Sequence, residues 1–163
     1  MSEASRAHVP DGQDQVPAEL YAEIQQFYAR QAGLLDEGRA VEWAESFTET
    51  AAFRDANRPQ EALVGRQALA AQARVHHERL TADGVDVRHW LGMIGIRTED
   101  DGSLHVRSYA LTPSTGRDGS GLRIPASVVC QDRLVRDAGH WRVADRTLRR
   151  DGTAFPATSS ITA

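Results

Sequence analysis

Asp36 and His89 are two residues whose types and surroundings can do chemistry together. Asp36 closes the amphipathic stretch QQFYARQAGLLDEGRAVEW, and His89 opens the apolar stretch VRHWLGMIGI. A carboxylate beside an imidazole orients the ring, stabilises its cation and leaves the second ring nitrogen free to move a proton. Acid–base catalysis by a group positioned in this way contributes roughly 10²–10⁴-fold to a rate. The alternative is structural: the pair braces the fold across a pocket floor and moves no proton. Both readings require a helix end and a strand start to meet at one hollow.

The elements that would bring them together are legible from periodicity. Between residues 17 and 37 the apolar positions Leu20, Ile24, Phe27, Tyr28, Leu34 and Leu35 recur at three- and four-residue steps, the period of one buried helical face. Pro17 suits a first turn and Gly38 the position just past the end. Residues 39–47 read as a short second helix carrying Trp43 and Phe47 inward, residues 50–55 as a brief strand, and residues 56–64 as a loop or ragged edge. Residues 65–80 form an alanine-rich third helix. Its His76 and His77 point about 100° apart, cannot share a metal, and are expected at a solvated helix end.

Four strands are expected at residues 87–97, 104–112, 122–136 and 140–150, separated by the turns EDDGS, PSTGRDGSG and DAG. Three helices followed by turn-linked strands predict an α+β domain, with helices packed on one face of a bent antiparallel sheet. That domain spans residues 17–150, with a polar tail at 1–16 and a loose one at 151–163. By the two-residue period of strands, Leu91 and Met93 share the face of His89, while Arg88, Trp90 and Ile94 point away. Ala126, Val128, Cys130 and Asp132 alternate together. Tyr28 lies on the Asp36 face of helix one with small Ala32 between them. Packing is its expected role and a ligand edge the alternative. Trp43, Phe47 and Trp141 are expected in the core, and Asp132 and Asp145 are alternative acids if the register shifts.

Composition excludes several function classes. The 163 residues carry a net charge of −4 with arginines spread among acids, so no basic stripe marks a nucleic-acid partner. No apolar run approaches the ~20 residues of a membrane span, and the polar first stretch has no apolar core of a signal. The expectation is a cytoplasmic protein with no membrane partner. All nineteen basic residues are arginine, so a Schiff base, pyridoxal phosphate and a phosphate loop ending in Gly-Lys-Ser/Thr all lack their lysine. No Gly-x-Gly-x-x-Gly follows a strand, and no cofactor is expected. Cys130 is the single cysteine, read as an inert thiol. His89, His105 and His140 fall in separate strands without metal-ligand spacing, so no metal site is expected.

The order LLDEGR, WAESFTETAAF, Gly65 with its helix, RHWLGM and three long strands resembles the nuclear transport factor 2-like superfamily in its SnoaL-like branch, over about residues 18–150. It is most similar to small actinomycete proteins of aromatic polyketide pathways of dehydratase or cyclase type. LLDEGRAVEW is also similar to the small subunits of ring-hydroxylating dioxygenases. The resemblance implies a conical barrel, a curved antiparallel sheet wrapped against three helices around a deep pocket, and a homodimer through the outer face of the sheet. It implies that Ser108, Thr112, Val128, Cys130 and Asp132 line the pocket. Scytalone dehydratases in the superfamily carry an acid and a histidine at the positions of Asp36 and His89. Their second catalytic histidine falls near Ser114, and a tyrosine beside the acid is Leu35 here.

The expected function is cofactor-independent acid–base catalysis of dehydration, cyclisation or isomerisation of a hydroxylated aromatic polyketide intermediate in natural-product biosynthesis. The alternatives left open are a non-catalytic structural subunit and a polyketide carrier.

Overall fold

A computed structural model describes residues 15–152. Helix α1 spans Ala18–Asp36 and buries Ile24, Tyr28, Gln31 and Leu34. Its end is a Schellman motif: the Arg39 N–H reaches the Leu34 carbonyl at 2.9 Å and the Gly38 N–H reaches that of Leu35 at 3.1 Å. Gly38 takes φ +73°, and a side chain there would strike the His77 ring, which lies against it. This stop leaves Asp36 as the last helical residue, aimed out of the final turn. Helix α2 (Ala40–Glu45) follows at once, and α3 (Arg66–Ala82) begins after Gly65.

The strands form a six-stranded mixed sheet and a small accessory sheet. They are β1 (Phe47–Asp55), β2 (Leu63–Val64), β3 (Val85–Val87), β4 (Trp90–Thr98), β5 (Leu104–Leu111), β6 (Ser114–Gly116), β7 (Gly121–Arg123), β8 (Ser127–Asp137) and β9 (His140–Arg150). The large sheet has the order β2-β1-β9-β8-β5-β4, and the accessory sheet the order β3-β6-β7. Neighbours are antiparallel except β1 and β9, which pair parallel. The antiparallel sheet expected from the turns is therefore mixed, because β1 enters from the helical layer and not from a hairpin. The stretch read as a PSTGRDGSG turn contributes β6 and the start of β7, and the expected 122–136 strand is two strands broken at Ile124, Pro125 and Ala126. Proline cannot donate to a ladder, which accounts for the break.

The core lies between the helices and the inner face of the sheet, with Ile24, Trp43, Phe47, Leu69, Leu104, Val106, Leu134 and Val143 at its centre. Trp43 and Phe47 meet edge to face with centroids 4.8 Å apart, and Trp141 packs at the margin. One sequence reading is corrected in β4. The ladder to β5 slips between Gly92 and Gly95, and Met93 adopts φ +53° at that bulge. The extra residue turns Met93 outward, where it is 75% exposed, and brings Ile94 and Ile96 into the core. Plain alternation from His89 cannot foresee this. Among the described residues no helix is long and apolar enough to cross a membrane. The 1–14 part of the expected N-terminal tail and the 153–163 part of the C-terminal one lie outside the described residues.

Candidate active site

Between the helices and the inner face of the sheet lies a cavity of about 470 Å³. Apolar side chains dominate its wall, among them Leu35, Trp43, Phe53, Leu69, Leu91 and Val128. That size and character suit a small flat organic ligand. Its depth follows from the strand register. Going inward along β5 and β8, the facing pairs are Ala110 with Val128, Ser108 with Cys130, and Val106 with Asp132. On the β9 side Arg150, Leu148 and Arg146 stand opposite Val128, Cys130 and Asp132. Arg150, Leu148 and Arg146 all line the cavity, whereas Asp132 and Val106 lie beneath it. The Asp132–Arg146 rung is thus the floor.

At the mouth, the helix end and the strand start meet. His89 Nδ1 is 2.7 Å from Asp36 Oδ1, and the His89 backbone N–H donates to both carboxylate oxygens at 3.1 and 3.2 Å. Both side chains are mostly enclosed, 22% and 13% exposed. A carboxylate oxygen accepts and does not donate, so Nδ1 carries the proton and Nε2 is left as the acceptor. A carboxylate in the last turn of a helix opposes the helix dipole, so the two His89 N–H groups are what hold Asp36 there. His89 itself lines the cavity, while Asp36 lies behind it in an adjoining cleft shared with His76 and His77.

His76 keeps the solvent exposure expected of it, and the structure adds that it lines the same cavity, its ring centroid 6.5 Å from that of His89. Loss of solvent contact, and after it the neighbouring His89, lower its pKa from the ordinary 6.5. His77 instead packs on the Gly38 backbone. The two rings part because they stand about 100° apart on α3. Helical direction was visible in the sequence, but the docking of α3 beside β3 was not.

The floor is a closed polar network. Arg146 donates from Nε to Asp132 Oδ1 at 2.8 Å, and from Nη2 to Asp132 Oδ2 at 2.6 Å and to Gln31 Oε1 at 2.7 Å. The Tyr28 hydroxyl donates to Asp132 Oδ2 at 2.8 Å, and Gln31 Nε2 donates to Ser46 Oγ at 2.6 Å. Burial works against the Arg146 cation, yet the Asp132 carboxylate beside it holds its pKa above the ordinary value. Burial first, and then Asp132, push the Tyr28 phenol well up. Burial also raises the Cys130 thiol to about 11, so Cys130 is a neutral lining group and no nucleophile.

The expected lining residues therefore separate. Leu91, Thr112, Val128 and Cys130 reach the cavity, as do Ala32, Ser114 and Ala126. Tyr28 and Asp132 are sealed into the floor network, Ser108 is buried between Ala110 and Val106 along β5, and Met93 faces outward. Asp145 pairs with Arg54 away from the cavity. Sequence reasoning missed Arg146, Gln31 and His76. An arginine inside an alternating strand was the one available signal for Arg146, among nineteen arginines. Among the described residues no cluster of three His, Cys, Asp or Glu side chains could hold a metal.

A helical layer over a curved mixed sheet, with a carboxylate–imidazole pair on the wall of an apolar hollow, defines an α+β cone. The SnoaL-like domain model matches residues 17–147, and the chain belongs to that family. Among solved structures, ActVI-ORFA from Streptomyces coelicolor is 29% identical with a TM-score of 0.77, covering 85% of this chain and 99% of its own. Aln2 from another Streptomyces species is 33% identical with a TM-score of 0.75, over 84% of this chain and 95% of its own. A protein of Catenulispora acidiphila in complex with S-DNPA is 36% identical with a TM-score of 0.72, over 83% and 96%. None of the curated proteins compared matches this chain.

Proposed function

We propose that this SnoaL-like protein is a cofactor-independent acid–base enzyme that dehydrates, cyclises or isomerises a hydroxylated aromatic polyketide intermediate. The observation that carries the reading is the 2.7 Å contact of His89 Nδ1 with Asp36 on the wall of an apolar cavity. Asp36 fixes the ring and its tautomer, and Nε2 removes a proton from the carbon next to a substrate carbonyl. In a dehydration the electron pair then expels a β-hydroxyl as water, taking its proton from the imidazolium just formed or from solvent. His76 stands close enough to serve as a second proton carrier. The scytalone dehydratase-like position near Ser114 carries no imidazole, and α3 supplies one from the other side of the mouth. The SnoaL-like family match supports a dehydratase or cyclase-type role, and likeness to a Catenulispora protein in complex with S-DNPA supports a bound ligand.

A model substrate tests this directly: 3-hydroxy-1-tetralone, which loses one water to give 1-naphthol. His89→Ala should lower turnover above background by at least about tenfold with folding intact, and Asp36→Asn should lower it while keeping the side chain's shape. Equal turnover by a folded His89→Ala protein refutes the role.

One observation favours the structural alternative, since Asp36 also holds the His89 backbone. In that case His89→Ala would lower stability and the wild-type protein would release no product from the hydroxy ketone, whereas stoichiometric binding of 1-tetralone without turnover would mark a carrier. The exposed Trp90, Met93 and Tyr109 on adjoining β4 and β5 support pairing of two copies through this face, a reading that a single-protomer mass in solution removes.

A further inference from the structure

We infer that Arg146 is a ligand-binding residue, and that its Nη1 amino group donates a hydrogen bond to a neutral keto oxygen at the blind end of the substrate. The inference rests on the reading of the cavity as a site for a flat aromatic ketone, and adds where that ketone is gripped. Three observations carry it. First, Arg146 lines the cavity although its side chain is only 8% exposed, so the little surface it keeps faces inward. Second, its Nε and Nη2 are committed to Asp132 and Gln31, while Nη1 has no hydrogen-bond partner among the described residues. A buried guanidinium seldom leaves such a donor unused. Third, the rest of the floor is largely committed. Gln31 spends its oxygen on Arg146 and one of its two amide N–H groups on Ser46, and the Tyr28 hydroxyl donates to Asp132. A ligand arriving at this end thus meets the Arg146 Nη1 donor, held flat by a bidentate carboxylate that keeps it from swinging away.

The charge of the floor selects the class of oxygen. Asp132 neutralises Arg146 at 2.6 and 2.8 Å, so the site presents a strong donor without net positive charge. A carboxylate entering there would be an uncompensated anion in an apolar hollow, which is costly. Cys130, whose side chain stands between that floor and the open cavity, keeps its proton to about 11 under the same penalty. A keto oxygen gains the charge-assisted bond and brings no charge. With His89 at the mouth and Arg146 at the floor, the pocket fits a molecule whose reacting carbon lies at one end and whose second carbonyl lies at the other.

The test uses 1-tetralone, its oxygen-free analogue tetralin and the anion 1-naphthoate, with binding read by quenching of tryptophan fluorescence from the cavity-lining Trp43. The wild-type protein should bind 1-tetralone about tenfold more tightly than tetralin, the worth of one charge-assisted bond, and should bind 1-naphthoate no better than tetralin. In Arg146→Met/Asp132→Asn the two neutral ligands should bind alike. His89→Ala should keep the wild-type preference, which separates this proposal from the catalytic one: loss of turnover in that variant with the preference intact supports both. If the double variant does not fold, the carbonyl stretch of 1-tetralone bound to the wild type decides, since it should move to lower wavenumber than in an apolar solvent. Equal binding of tetralone and tetralin by the wild type, an unshifted stretch, a preference that survives in the folded double variant, or preferred binding of 1-naphthoate overturns the inference.

Discussion

The two ends of the cavity are both polar, and they are built on opposite principles. At the mouth Asp36 and His89 sit at element ends and His76 joins them from within α3, all three lining one cleft. At the floor Arg146, Asp132, Tyr28 and Gln31 sit in the middle of strands and a helix, closed off from solvent. The mouth has in His76 an imidazole whose pKa lies below its ordinary value, first through loss of solvent contact and then through His89. The floor has a permanent cation locked to a carboxylate, with the phenol and thiol around it held protonated by burial. Proton traffic belongs where an imidazole can exchange with water, and fixed orientation belongs where nothing moves. The comparison therefore assigns reaction to one end and recognition to the other.

The sharpest way to break it is to cut the floor. Arg146→Met alone leaves the Asp132 carboxylate buried with only the Tyr28 hydroxyl to satisfy it. Removing one partner of a buried ion pair costs about 3–5 kcal/mol. Adding Asp132→Asn removes the stranded charge and should recover at least half of that loss. Urea midpoints at constant slope check both values. Should Arg146→Met cost no more than the mouth variant Asp36→Asn, the floor is not the rigid end and the contrast fails.

The same contrast explains what was legible in the sequence. Asp36 stood out because LLDEG ends a strongly periodic helix, and His89 because VRHW starts an apolar strand. Ends of elements are marked by local chemistry, and local chemistry can be read without a fold. Helix one came from periodicity, and the outer limits of β5 and β9 from the Gly-, Asp- and Ser-rich turns that flank them. Arg146 and Asp132 meet only through the β8–β9 register, which no local pattern encodes, and that ladder itself shifts between Arg133 and Leu134. Met93 was misplaced because a bulge inserts one residue into the alternation. The parallel pairing of β1 with β9 was hidden because it joins the first strand to the last. Long-range register, more than composition, is what the sequence withheld.

A milder probe of the floor is its response to alkali. The Cys130 thiol titrates at about 11 in the folded protein against an ordinary 9.0, chiefly through burial. A folded-state pKa that is raised contributes fully below the ordinary value. As pH rises past 9 the unfolded chain ionises first, and stability falls until the folded thiol ionises in turn. A rise from 9.0 to about 11 corresponds to a loss on the order of 2–3 kcal/mol from this group. Cys130→Ala should flatten that part of the decline between pH 9 and 11, leaving the further fall contributed by the raised Tyr28 phenol. An unchanged slope in the variant would show that solvent reaches the floor.

The smallest effect lies at the mouth and concerns His76. Its pKa lies below the ordinary 6.5, first through loss of solvent contact and then through His89, Arg79 and His77. The sign is opposite to that of Cys130 on the pH scale: the contribution to stability is present above pH 6.5 and is lost as pH falls through the lowered folded value. At neutral pH His76 is therefore an uncharged acceptor facing a ring that Asp36 orients, and an imidazole in that form can take up a proton but has none extra to give. His76→Gln should reduce turnover by less than His89→Ala does, and should do so most at the acidic edge of the rate profile. In the His89→Ala protein the proton-detected titration of His76 should move back towards 6.5 without reaching it, because burial, the larger cause, remains. A His76 midpoint indifferent to His89 would mean that the two rings do not sense each other across the mouth, and His89 would then work with Asp36 alone.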